Sequence, residues 1–71
     1  ELSRPGRVVL SLYDVTGRRI ALLADRAFEA GASAVTWDGR DSSGREAPAG
    51  IYFARLDTDG GAAMSRVVKL R

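Results

Sequence analysis

Apolar side chains recur at every second residue of this chain, and glycine or aspartate interrupts them before a helical period can build up. In "RVVLSLYD", Val8, Leu10 and Leu12 alternate with Val9, Ser11 and Tyr13, the pattern of a half-buried strand. "DVTGRR" then supplies a turn, with Asp14 able to cap backbone amides and Gly17 free to take positive φ. "RIALLA" resumes the strand pattern, so residues 8–23 read as a hairpin with a loop of about three to five residues. "DRAFEAG" is expected to be a connector that tucks Phe28 into the core and turns at Gly31. "SAVTWD" reads as a third strand, with Val35 and Trp37 on one face and Ala34 and Thr36 on the other.

After a long loop, "GIYFARLD" predicts a fourth strand with Tyr52, Ala54 and Leu56 on one face. "TDGG" is a hairpin turn, because Asp-Gly and Gly-Gly both tolerate positive φ. "AMSRVVKL" returns as a fifth strand in which Val68 and Leu70 share a face. A helix over residues 21–30 competes, since "ALLADRAFEA" is rich in alanine; running straight into Gly31, it amounts to about one turn. About five strands spaced roughly 8–12 residues apart predict one small antiparallel domain over residues 1–71, a sandwich or half-open barrel. Pro48 fixes the exit of the long loop and cannot enter a central ladder, so the fourth strand starts after it.

Composition removes whole classes of chemistry. The 71 residues contain no cysteine and no histidine, which excludes disulfides, thiolate metal sites and Ser/His/Asp or Cys/His nucleophiles. A serine activated by lysine is formally open, but Lys69 is the only lysine and ends a predicted strand. The net charge is only +2, and the basic residues are scattered apart from the pair Arg18 and Arg19. That is a solvated surface, without the clustering that tracks a phosphate backbone, so no nucleic-acid partner is expected. No apolar run approaches the ~20 residues that span a membrane, so no membrane insertion is expected. The opening "ELSRPGRV" lacks an initiator methionine and reads as a piece of a larger polypeptide.

The chemically richest stretch is "WDGRDSSGREAPAGIY", residues 37–52. A calcium loop would use Asp38, Asp41, Glu46 and Ser43. Counted from Asp38, however, the EF-hand template meets Arg40 at position three, Ser43 at six and Ala49 at twelve. Paired-carboxylate glycoside chemistry needs a cleft that so small a domain has little room to build. A sugar platform would stack on Trp37, Tyr52 and Tyr13, but Trp37 shares a face with Val35 and is better placed in the core, its N–H finding a partner there. The bland reading of the loop is turn chemistry. "DVTGR" (14–18) and "DSSGR" (41–45) share Asp-x-Ser/Thr-Gly-Arg, the needs of a type I turn closing into a glycine bulge.

Taken in order, Leu12-Tyr13-Asp14 with Gly17-Arg18, Ala30-Gly31, Trp37-Asp38-Gly39, Asp41 with Gly44, and Gly50 with Tyr52 form a specific set. Over residues 7–71 the chain resembles the Ig-like module of the flagellar hook-capping protein FlgD and the allied C-terminal sorting domains of the type IX secretion system. The resemblance implies an Ig-like or fibronectin III-like antiparallel β-sandwich of about five to seven strands, non-enzymatic and without cofactor or metal. It implies a C-terminal module of an exported protein that crosses the periplasm to the cell surface or beyond. The function it implies first is a sorting or surface-anchoring signal, with Arg66, Val67, Val68, Lys69, Leu70 and Arg71 as what the secretion machinery recognises. The alternatives are a structural spacer or assembly module of the hook-cap kind and a carbohydrate-binding accessory domain. Relatives begin with a further strand, of which Glu1 and Leu2 would be the remnant. An edge left unpaired by its absence would favour a homodimer, through edge pairing or exchange of the last strand.

Overall fold

The computed structural model describes residues 4–31 and 35–70. Four strands, β1 (Gly6–Tyr13), β2 (Arg19–Phe28), β3 (Gly50–Thr58) and β4 (Gly61–Lys69), form one antiparallel sheet in the order β2-β1-β3-β4. The all-β antiparallel expectation holds, with two hairpins flanking a long crossover.

The β1–β2 hairpin is not a plain ladder. Its register shifts at Leu10/Ser11 and at Leu12/Tyr13, so that Leu23 and Ile20 of β2 have no partner residue on β1. Each shift places an extra residue in β2, which bends and twists the strand. The sequence supports this, because "RIALLA" carries more apolar residues than strict alternation could send to one face. Ile20 and Leu23 both pack against the core beside the buried Ala21. The β3–β4 pair is the opposite case. It runs in continuous register from Gly50↔Lys69 to Thr58↔Gly61 around the Asp59–Gly60 turn.

Across the sheet, Leu12 lies between Ala21 and Ala54, and Tyr52 faces Val67. Leu12, 1% exposed, forms the core with Ala21, Ala47 and Tyr52, and Ile20, Leu23, Trp37, Ala54 and Val67 pack around it. Ala47 and Trp37 come from the crossover segment, which folds over this face of the sheet. Alternate residues of β3 fall as expected: Tyr52 is buried and Ala54 and Leu56 are half-buried on the same face.

Three expectations change. Among the described residues the strands number four, in one sheet, and the crossover loop covers one face of it. Residues 33 and 34 of the anticipated third strand lie outside the described residues, and 35–38 belong to no strand. Val35 and Trp37 are nonetheless half-buried while Thr36 and Asp38 are exposed, so the side-chain alternation is present without a ladder. Finally, the supposed connector "DRAF" completes β2, which also removes the helical reading there. Phe28 is half-buried at the end of that strand, with the Arg26 guanidinium 4.0 Å over its ring.

Candidate functional site

The loop of residues 35–49 and the β1–β2 turn sit together at one end of the sheet, and the repeated motif is what shapes both. In the first copy, Asp14 Oδ1 accepts from the Thr16 amide at 2.9 Å, the Thr16 hydroxyl at 2.6 Å and the Arg18 amide at 3.1 Å. In the second, Asp41 Oδ1 accepts from the Ser43 amide at 2.9 Å, the Ser43 hydroxyl at 2.7 Å and the Arg45 amide at 3.0 Å. The backbone repeats as well: Gly17 N–H donates to the Asp14 carbonyl and Gly44 N–H to that of Asp41, with φ of 88° at each glycine. The echo in the sequence is therefore one turn built twice, from interactions spanning at most four residues.

In each aspartate three donors converge on Oδ1 and favour the charged form. The Thr16 hydroxyl, together with amide hydrogen bonds and the nearby Arg18, holds the Asp14 carboxyl below its ordinary value. The Ser43 hydroxyl does the same for Asp41, assisted by the amides and by Arg45. Asp38 Oδ1 accepts one backbone amide, that of Arg40, at 2.9 Å.

The loop is fastened to the sheet at several points. Ser42 N–H donates to the Ile20 carbonyl at 2.9 Å, which ties the second turn to β2. Inside the loop, Arg40 and Glu46 form a β-bridge and Ala47 N–H donates to Gly39 O at 2.8 Å. Trp37 meets Tyr52 edge to face, with ring centroids 5.2 Å apart, and its indole N–H donates to the Arg40 carbonyl at 2.9 Å. The tryptophan is thus packed on the core as expected, though half-buried where full burial would suit a central core residue. Tyr52, at the start of β3, donates its hydroxyl to the carbonyl of Pro48 four residues upstream, an arrangement like the tyrosine corner of Ig sandwiches. Lys69 closes the assembly. Its side chain, 8% exposed, lies along the loop beside Gly39 and ends 3.5 Å from Glu46.

The chemistry of this end is consumed internally. Asp38 and Asp41 serve backbone amides, Glu46 meets Lys69, and the tyrosine and indole donors are matched to carbonyls. Among the described residues no group of three His, Cys, Asp or Glu side chains stands close enough to hold a metal. A groove of about 520 Å³ opens at the far end of the sheet, between Gly6, Leu56, Thr58, Asp59 and Ala63, away from the loop carboxylates. The sugar platform is divided by the fold. Trp37 and Tyr52 share the covered face, whereas Tyr13 pairs with Phe53 on the opposite one.

That opposite face is the feature sequence reading missed. Tyr13, Phe53, Ile51, Met64 and Val68 lie on it by register, interleaved with Arg55, Asp57 and Arg66. Met64 is 59% exposed and Val68 57%, although both are apolar. The signal was present in the alternation of Met64, Arg66 and Val68. Which side of β4 the loop would cover, however, is not written in β4. Of the anticipated recognition residues, Arg66, Val68 and Leu70 are exposed, Val67 and Lys69 turn toward the loop-covered side, and Arg71 lies outside the described residues.

A model of the FlgD Ig-like domain matches residues 2–62. No curated protein and no solved structure matches the chain.

Proposed function

The chain belongs to the FlgD Ig-like domain family, and from that premise we propose that it is a non-catalytic structural module, a rigid spacer or assembly unit within a larger exported protein. The observation that carries this reading is the loop of residues 35–49. Trp37, Asp38, Arg40 and Asp41 bond the loop's own backbone and Glu46 meets Lys69 of the sheet, so its chemical richness serves rigidity. The module extends 35 Å along its longest axis, enough to hold neighbouring segments apart at a fixed spacing. Its partners on this reading are proteins, and it needs no cofactor.

The test is replacement within the parent polypeptide. An unrelated β-sandwich of similar length should preserve export and assembly of the parent, whereas a flexible glycine-serine linker of equal reach should not. Loss of export with the substitute sandwich would refute the spacer reading. It would instead support a second reading, a sorting signal read by secretion machinery, which draws on the exposed Arg66, Val68 and Leu70 at the end of β4. Substituting those three residues with serine would then abolish export without lowering the melting temperature.

A further inference from the structure

The two edges of the sheet are protected very differently. Along β2, two register shifts break the ladder, Arg19, Asp25 and Arg26 place charges on the strand, and the Ser42 amide occupies the Ile20 carbonyl. Those are the devices by which natural sheets blunt an edge. On the other edge, β4 has no register shift and no proline. Its nine residues run in unbroken register with β3, residues 61–66 are exposed, and Arg66 and Lys69 are its only charges. Every second residue of such a strand turns both its N–H and its C=O away from the sheet.

We propose that β4 pairs antiparallel with β4 of a second copy, about a two-fold axis at Met64, joining the two sheets into one. Charge selects both the occupant and the register. With the axis at Met64, residues 61–67 pair with 67–61, and Arg66 stands opposite Ala62 of the partner subunit. Asp57 is the β3 neighbour of Ala62 on that same face. Strands lie about 4.8 Å apart, so the partner's Arg66 starts roughly 10 Å from Asp57. It can reach across the small alanine to the carboxylate, whose Oδ1 is engaged by Arg55 Nε at 3.1 Å and whose second oxygen can still accept. The two-fold axis makes this contact twice. Moving the axis one residue to Ser65 would bring Arg66 beside the partner's Arg66 on the same face, and like charges there oppose pairing. The Met64 register also sets the two exposed methionine side chains against each other.

This inference is independent of the spacer reading and is tested on the isolated chain. Sedimentation velocity from about 10 µM to 1 mM, a range suited to a small, weak interface, should show mass rising from monomer to dimer. Met64→Lys places like charges opposite at the axis and should raise the dissociation constant about tenfold, with melting at low concentration unchanged. Asp57→Arg and Arg66→Asp should each weaken the dimer, and the double variant should restore it. Under oxidation, Met64→Cys should cross-link into dimers and Ala27→Cys, on the β2 edge, should not. Monomers throughout the range would overturn the proposal. So would a dimer indifferent to Met64→Lys, or one that persists on dilution without the Met64→Cys cross-link, the behaviour of an exchanged strand.

Discussion

Gly39 separates two effects that a glycine substitution usually confounds. Its φ is +83°, and a Cβ built there would stand 3.0 Å from Lys69 Cε and 3.9 Å from Nζ. Gly44, in the same loop, has φ +88° with nothing within 4 Å of the corresponding position. Holding alanine in the left-handed region costs about 1–2 kcal/mol, offset by about 0.4–1 kcal/mol from a stiffer unfolded chain. Gly44→Ala should therefore destabilise by about 1 kcal/mol. Gly39→Ala carries the same strain and must also displace the Lys69 stem, whose side chain is only 8% exposed. Returning one or two methylenes to water at about 0.8 kcal/mol each brings the total to about 2 kcal/mol. Against the roughly 4–10 kcal/mol expected of a domain this size, both values are measurable. Trp37, the only tryptophan, reports unfolding in urea from within the loop. Combining Gly39→Ala with Lys69→Ala should recover the extra term, a coupling of about 1 kcal/mol. Equal costs at the two glycines, or additivity with Lys69→Ala, would refute the claim that the lysine stem presses the loop onto the sheet.

The other expectations concern the same end of the molecule. Tyr52→Phe deletes the hydroxyl that bonds the Pro48 carbonyl and should cost about 0.5–1.5 kcal/mol in calorimetric melts; an unchanged melting temperature would mean the corner holds without it. Trp37→Ala should cost about 2–3 kcal/mol by circular dichroism, below the ~3–5 kcal/mol of a fully buried large aromatic, because the ring is half-buried. Unchanged melting with lost polysaccharide retention would instead revive the sugar platform. The lowered pKa of Asp14 and Asp41 means the folded state binds those protons less readily than the unfolded chain. Their stabilisation is present above the ordinary aspartate value of about 3.9 and is lost as pH falls through the folded value. The Asp14→Asn/Asp41→Asn variant should accordingly lose less stability than the parent chain between about pH 5 and pH 2, and an identical acid limb would show that the turns do not carry it.

What the sequence determined by itself is whatever closes over a few residues. The Asp14 and Asp41 turns need only a carboxylate, a hydroxyl two residues on and a glycine after that, so their shared geometry was legible in "DVTGR" and "DSSGR". The β3–β4 hairpin was legible in "TDGG" between two alternating runs. The alternation around Trp37 likewise placed Val35 and Trp37 inward. Whether residues 35–38 also form a ladder depends on a partner strand far away in the chain, and for these residues the fold supplies none. Bulges at Ile20 and Leu23, which gather extra apolar side chains onto the core, arise from the register against β1 and have no local signature. Lys69, thirty residues from Gly39, reaches the loop only because β3 and β4 carry it there. The loop's choice of sheet face, which leaves Met64 and Val68 exposed, is likewise tertiary, since an alternating strand offers two faces and only packing decides which one is covered.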